Sequence, residues 1–203
     1  MRDRVRVISK ETVYDGYFRI DRYRLCHESF AGGWTPEVTR ELFERGHTVG
    51  VLPYDAVRDR VVLIEQFRVG AYAAGWEPWL NEIVAGIIDD GESPEHVARR
   101  ETKEETGLQI GRLLPITRYL VSPGGTSESV VLFCGEVDST AAGGIHGLDD
   151  EAEDIRVQVL DAADAVAMAG DGRMVNAAGV VALQWFAMNR ERVRDAWAAG
   201  APA

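Results

Sequence analysis

Three glutamates, Glu101, Glu104 and Glu105, fall at i, i+3 and i+4 inside the stretch 85–108, AGIIDDGESPEHVARRETKEETGL. On a helix that spacing sets all three carboxylates on one face. Ser93 suits the N-cap, Pro94 the first helical position and Gly107 the C-terminal stop, so the residues predict a helix over 94–106. Acids in the last turn oppose the helix macrodipole, and like charges four residues apart repel. A cation on that face removes both objections. Carboxylate oxygens are hard ligands suited to Mg²⁺ or Mn²⁺. Mg²⁺ held by few carboxylates keeps its waters and bridges to substrate phosphates, so the chemistry indicated is metal-assisted hydrolysis of a phosphate ester or anhydride.

Other residues carry weaker signals. Arg40 and Arg68 have the side chain that clamps phosphates and stacks on purines, and also the ordinary chemistry of a charged surface. Tyr17 and Phe18 follow a hairpin turn, where core packing is the default for an aromatic. Pro123 in SPGG reads as a turn residue and Glu128 as a loop acid. The run DDEAED (149–154) reads as a solvated face, approached through Gly143, Gly144 and Gly147. His27, His47, His96 and His146 show no ligand spacing and receive no role.

The stretch 85–108 resembles the Nudix box, Gly-x5-Glu-x7-Arg-Glu-U-x-Glu-Glu-x-Gly-U, with U bulky and apolar. The matches are Gly86, Glu92, Arg100, Glu101, Glu104, Glu105, Gly107 and Leu108; Thr102 departs from the pattern at the first U position. TRELFERGH (39–47), LIEQFR (63–68), SPGGTSE (122–128) and GIHGL..E.EDIRV (144–157) look like the bacterial ADP-ribose pyrophosphatase subgroup, and Pro123 lies 15 residues beyond Leu108, as that subgroup has it. The resemblance covers nearly the whole chain. It implies an α/β/α sandwich around a mixed sheet and hydrolysis of ADP-ribose to AMP and ribose 5-phosphate. It also implies Mg²⁺, replaceable by Mn²⁺, held by the Ala85 carbonyl and Glu101, Glu104 and Glu105. Glu92 and Arg100 then support the loop–helix geometry. Arg40, Arg68, Tyr17 or Phe18, Pro123 and Glu128 become substrate-binding residues. The general base comes from the acidic loop: Glu151, with Glu153 as its alternate and Glu104 or Glu128 behind them. Sibling substrates such as ADP-glucose or GDP-mannose leave fold and metals unchanged. A non-catalytic ADP-ribose sensor is the reading from another class, and the intact REUxEE core argues against it.

The elements that must position these groups are legible by pattern. Residues 3–14 and 17–28 read as strands around Asp15-Gly16, and 34–44 as a third, giving a small antiparallel N-terminal sheet. Such a sheet is marginal alone, so residues 1–46 are expected to form a dimerisation subdomain and 47–203 the catalytic domain. Strands are expected at 47–53, 61–67, 79–85, 113–121, 130–137 and 155–160, with an irregular stretch at 71–78. A short helix is expected at 162–169. A long one capped by Asn176 follows, with Val181, Trp185 and Met188 along its apolar stripe. Strands interleaved with helices indicate an α/β fold.

Composition sets the outer bounds. The chain has 203 residues, 46% hydrophobic and 27% charged, sufficient for one sizeable core. A net charge of −11 argues against nucleic-acid or anionic-membrane partners and strengthens the need for a cation beside a polyphosphate. Cys26 and Cys134 show neither metal spacing nor a disulfide framework and fit a reducing cytoplasm. No signal peptide or membrane span is expected.

Overall fold

The computed structural model describes residues 4–148 and 152–198. These form two compact units. The first comprises residues up to His47 together with Leu120–Ser129; the second comprises Thr48–Tyr119 and the chain from Val130 onward.

In the first unit, β1 (Val5–Asp15), β2 (Arg19–His27) and β3 (Val38–Glu44) form an antiparallel meander in that order. The Asp15-Gly16 turn sets the first hairpin, pairing Asp15 with Arg19 and Val5 with His27. β1 carries two register shifts, one between Val7 and Ser9 and one between Thr12 and Tyr14, which sharpen its local twist. Asp21 is fully buried yet well served: Thr12 Oγ1 donates to it at 2.8 Å, and Lys10 Nζ and Arg19 Nε stand at 2.9 and 3.2 Å. The expected third strand begins at Val38 rather than at position 34. Trp34 makes only an isolated bridge to Glu28, and Pro36, which cannot donate to a ladder, intervenes.

The second unit is built on an eight-stranded mixed sheet among the described residues, in the order β10-β11-β5-β4-β9-β8. Its strands are β4 (His47–Asp55), β5 (Arg60–Phe67), β8 (Leu113–Leu120), β9 (Ser129–Glu136), β10 (Ile145–His146) and β11 (Ile155–Asp161), with β6 (Trp79–Glu82) on β5 and β7 (Val84–Ile88) on β4. β4 and β9 run parallel, while β5 is antiparallel to β4, β6 and β11. The period-2 pattern divides the apolar residues cleanly between the two faces. Leu52, Tyr54, Val61, Leu63, Leu132 and Cys134 face one core with α3 (Ala162–Asp171) and α4 (Ala177–Ala198). Val49, Val51, Val62, Ile64 and Phe133 face the other, together with Val97 and Ala98 of α2 (Pro94–Thr106). The result is the expected α/β/α sandwich with a mixed sheet, and a small antiparallel sheet in the N-terminal unit.

Several expectations are corrected in detail. The single strand expected at 79–85 is two, β6 and β7, broken at Ile83; β6 serves β5 and β7 serves β4. The stretch after Arg68 contains a short helix, α1 (Val69–Ala73), with no buried residue. On α4 the buried stripe is Leu183, Phe186, Val193 and Trp197, stepping by three, seven and four residues; Met188 is 78% exposed. Trp185, only partly buried, sits at the edge of that stripe, so a periodic match led by one aromatic shifted it by part of a turn. Asn176 does cap α4: its Oδ1 accepts from Gly179 N at 2.8 Å.

Candidate active site

β7 delivers the chain from the sheet to Gly86, and α2 returns it. Ser93 is extended, and its Oγ accepts from His96 N at 3.2 Å; Pro94 follows at the first helical position. Gly107 ends the helix in the left-handed region, φ 72°, with its N–H donating to Lys103 O. The helix bounds match those read from the caps. Thr102, the departure from the apolar box position, is fully buried and donates to Ala98 O at 2.8 Å, so its hydroxyl is satisfied inside the helix.

The three glutamates meet different partners. Glu105 is 2% exposed, and its Oε2 accepts from Ala85 N at 3.2 Å. Glu101 lies against Gly86: a Cβ built there would stand 1.9 Å from Glu101 Oε1 and 2.3 Å from its Cγ. Only a residue without a side chain leaves room for that carboxylate. Arg100 Nη1 donates to Glu101 Oε1 at 2.8 Å and to Glu104 Oε2 at 3.2 Å, while its Nη2 reaches Glu92 Oε2 at 3.3 Å and Ile87 O at 3.5 Å. Glu92 also accepts from Asp89 N, tying the loop to the helix.

Burial pushes Glu101 up to about 7; Glu104 and Glu153 push the same way, and Arg100 opposes them. Burial likewise raises Glu105 well above the ordinary carboxylate range, reinforced by Glu101 and Glu153 and opposed by the Ala85 amide and Arg68. Glu105 is buried and Glu101 partly buried, so positive charge brought near them favours their ionised forms. Among the described residues no three His, Cys, Asp or Glu side chains converge as a ready metal cage. The donor set nevertheless suits a hard divalent cation, because hard oxygen ligands deficient in counter-charge are what such an ion requires.

Arg68, at the end of β5, donates through Nε and Nη2 to Glu82 Oε2 at 3.1 and 2.7 Å. Gln66 Nε2 donates to the same oxygen at 3.3 Å. Glu153 closes the stem of the acidic loop: its N–H donates to Leu148 O at 3.2 Å, and its Oε2 accepts from Leu148 N at 3.3 Å. Gly147, φ +106°, allows this, since a Cβ there would meet Glu153 Cβ at 2.6 Å. Glu151, with Asp149 and Asp150, lies outside the described residues.

The remaining expected substrate residues stand in the first unit. Tyr17 is 87% exposed and meets Phe18 edge-on; Phe18 in turn packs edge-on against Phe43 at 5.1 Å. Arg40 is exposed and donates to Thr39 O. Pro123 is an exposed turn residue. Glu128 is buried, 3.5 Å from Arg45 Nη1, and Arg45 lies over the Phe18 ring at 5.4 Å.

Three residues given no role by pattern have structural parts here: Arg45; Glu82, whose signal was an acid inside the apolar run WLNEIV; and His146, whose ring packs where a Cβ on Gly107 would reach it at 3.0 Å. His146 had no sequence signal, because its contact lies 39 positions away.

A NUDIX domain family model matches residues 44–189. An Escherichia coli (strain K12) protein named ADP-ribose pyrophosphatase is 51% identical over 194 residues, covering 96% of this chain and 93% of its own. The Haemophilus influenzae protein of the same name is 40% identical over 95% of this chain and 90% of its own. A Pectobacterium atrosepticum protein named GDP-mannose pyrophosphatase is 34% identical over 89% of this chain and 96% of its own. A solved structure described as an ADP compounds hydrolase aligns with TM-score 0.72 at 23% identity, over 94% of this chain and 97% of that one, and supports the fold.

Proposed function

This chain belongs to the NUDIX domain family, and from that premise we propose that it hydrolyses the diphosphate of ADP-ribose, yielding AMP and ribose 5-phosphate. The carrying observation is the 51% identity to an ADP-ribose pyrophosphatase over nearly the full length of both chains. The carboxylates of Glu101, partly buried, and Glu105, buried, on α2 supply the matching chemistry. Water adds to one phosphorus, the bridging P–O bond breaks, and the departing phosphate takes the electron pair.

Glu101, Glu104 and Glu105, with the Ala85 carbonyl, would hold Mg²⁺, or Mn²⁺ in its place. A bound divalent cation supplies neutralisation of the diphosphate and acidification of a coordinated water. Glu151 takes the proton of the attacking water, with Glu153 as alternate. Arg68 offers a fixed guanidinium to a phosphate oxygen. Arg40, Tyr17, Phe18, Pro123 and Glu128 are the proposed further substrate contacts. Glu92 and Arg100 hold the loop to the helix.

A second reading, hydrolysis of GDP-mannose or another nucleoside diphosphate sugar, draws on the 34% relative. We assign the N-terminal segment 1–46 to homodimerisation and 47–203 to catalysis. β1 is exposed along all eleven residues, with Val7, Ile8 and Tyr14 each more than half exposed, an apolar edge that association would cover. Two free thiols fit the cytoplasm. The net charge of −11 disfavours nucleic acid and anionic membrane. Among the described residues, no helix is long and apolar enough to cross a membrane.

The deciding experiment is a panel of nucleoside diphosphate sugars with Mg²⁺, products resolved, before and after exhaustive chelation. ADP-ribose should be turned over fastest, with activity lost on chelation and restored by the metal. Faster turnover of GDP-mannose would replace the substrate, and undiminished turnover without metal would overturn the metal-assisted reading.

A further inference from the structure

The buried Glu82 carboxylate holds the guanidinium of Arg68. Its Oε2 accepts from Arg68 Nε and Nη2 at 3.1 and 2.7 Å and from Gln66 Nε2 at 3.3 Å. Glu82 is 8% exposed and Gln66 7%, so the anchor is built into the sheet, whereas the Arg68 side chain is nearly half exposed. Glu82 ends β6, and three residues later Ala85 N donates to Glu105 Oε2. Anchor and arginine thus lie on the paired strands β5 and β6, and the chain runs on from the anchor to the amide that binds Glu105 of α2. The charge of Arg68 is felt at Glu105, and those of Glu105 and Glu153 at Arg68.

An arginine near Glu105, a buried carboxylate whose partner is the neutral Ala85 amide, is a hazard to a cation site. Released from its anchor, it would pair with Glu105, because a buried carboxylate held by one neutral amide gains strongly from a guanidinium. The ion pair would then occupy the oxygens a metal needs. We propose that Glu82 is a positioning residue that keeps Arg68 off Glu105, so that one strand-end carboxylate both presents the guanidinium to an anionic ligand and leaves the acids open to a divalent cation. This rests on the reading of Glu101 and Glu105 as metal ligands.

The two ideas separate in a binding measurement made without substrate. Mn²⁺ is titrated into metal-free wild type, Glu82→Gln, Glu82→Asp, Arg68→Ala and the double variant Arg68→Ala/Glu82→Gln by calorimetry, with thermal melts as the folding control. Glu82→Gln should weaken Mn²⁺ binding by about tenfold, within the span found for residues that orient metal ligands. Glu82→Asp should recover part of the loss. Arg68→Ala should bind at least as tightly as wild type, and the double variant should match Arg68→Ala within about threefold, because removing the competitor makes the anchor irrelevant. A general structural role for Glu82 predicts no such rescue. A double variant as weak as Glu82→Gln, or a Glu82→Gln protein that binds like wild type, overturns the proposal. Wild type that binds no Mn²⁺ overturns instead the ligand assignment beneath it. Should Glu82→Gln fail to fold, the comparison of Glu82→Asp with Arg68→Ala/Glu82→Asp decides in the same terms.

Discussion

Adding one methyl group at Gly86 tests whether the glycine of the box exists to seat Glu101. The Cβ of Gly86→Ala would fall 1.9 Å from Glu101 Oε1, 2.0 Å from its Cδ and 2.3 Å from its Cγ. Cβ atoms essentially never approach other heavy atoms within 3.0 Å, so the carboxyl group must retreat by at least about 1 Å. Gly86 does not occupy the left-handed region, so alanine meets no backbone strain and the effect is steric. The caps of α2 at Ser93 and Gly107 lie outside the clash, so the cost to folding should be that of modest overpacking, about 1–3 kcal/mol.

The effect on catalysis should be larger. Misplacing a reacting or ligating group by about 1 Å costs on the order of 10²-fold in rate. Gly86→Ala should thus lose about two decades of kcat with little change in the far-ultraviolet circular dichroism. The specific check is the double variant with Glu101→Gln. If Gly86→Ala acts only by displacing Glu101, adding it to Glu101→Gln should cost less than about threefold more, a strongly non-additive pair. Multiplying penalties, or a Gly86→Ala enzyme within threefold of wild type, would refute the steric argument.

Two further outcomes follow. Glu151→Gln should lower kcat by about 10² to 10⁴-fold with KM nearly unchanged, and Glu153→Gln by less; steady-state kinetics of both variants decide, and the reverse ranking transfers the role to Glu153. Asp55 is buried, which pushes its carboxyl up, yet hydrogen bonds from the Ser139 and Arg58 amides and both their side chains outweigh burial and hold it at about 2. A depressed folded value adds stability above the ordinary 3.8 and loses it as pH falls toward 2, an amount of about 2 kcal/mol. Denaturant titrations should show Asp55→Asn less stable than wild type at pH 7 by at least that order, with the gap closing between pH 4 and 2; a gap independent of pH would refute the linkage.

What could be read in the sequence, and what could not, divides by the range of the interaction. The box helix was legible to the residue because Ser93, Pro94 and Gly107 each act within one turn. The sandwich was legible because the short apolar runs of β4 and β5, buried almost throughout, are a local signal. The break between β6 and β7 was not, because nothing near Ile83 says that the residues before it pair with β5 and those after it with β4. The stripe on α4 was misplaced because Met188 is apolar but faces solvent, a choice made by the opposing sheet. The anchor on Arg68 was missed for the same reason: Glu82 is 14 residues from its arginine, and only the β5–β6 register brings them together.

The starting objection to the box helix, three acids crowded against its C-terminal dipole, is answered unevenly, and the unevenness locates the chemistry. Arg100 already bonds Glu101 and Glu104, and Lys103 stands in the last turn, so the outer carboxylates carry their own counter-charge. Glu104, at 30% side-chain exposure, also keeps partial access to water, and acids so placed cost the helix little. Glu105 has neither remedy. It is buried, its one amide partner is neutral, and Glu101 and Glu153 both act against its ionisation. The unmet demand for positive charge therefore lies between α2 and β7, on the side of Glu105 and the inner edge of Glu101. Arg68 acts on Glu105 electrostatically, and it is tied to Glu82. A fold that places an arginine within electrostatic reach of its most charge-starved carboxylate, then tethers that arginine to another acid, leaves the demand to be met by something that arrives from outside.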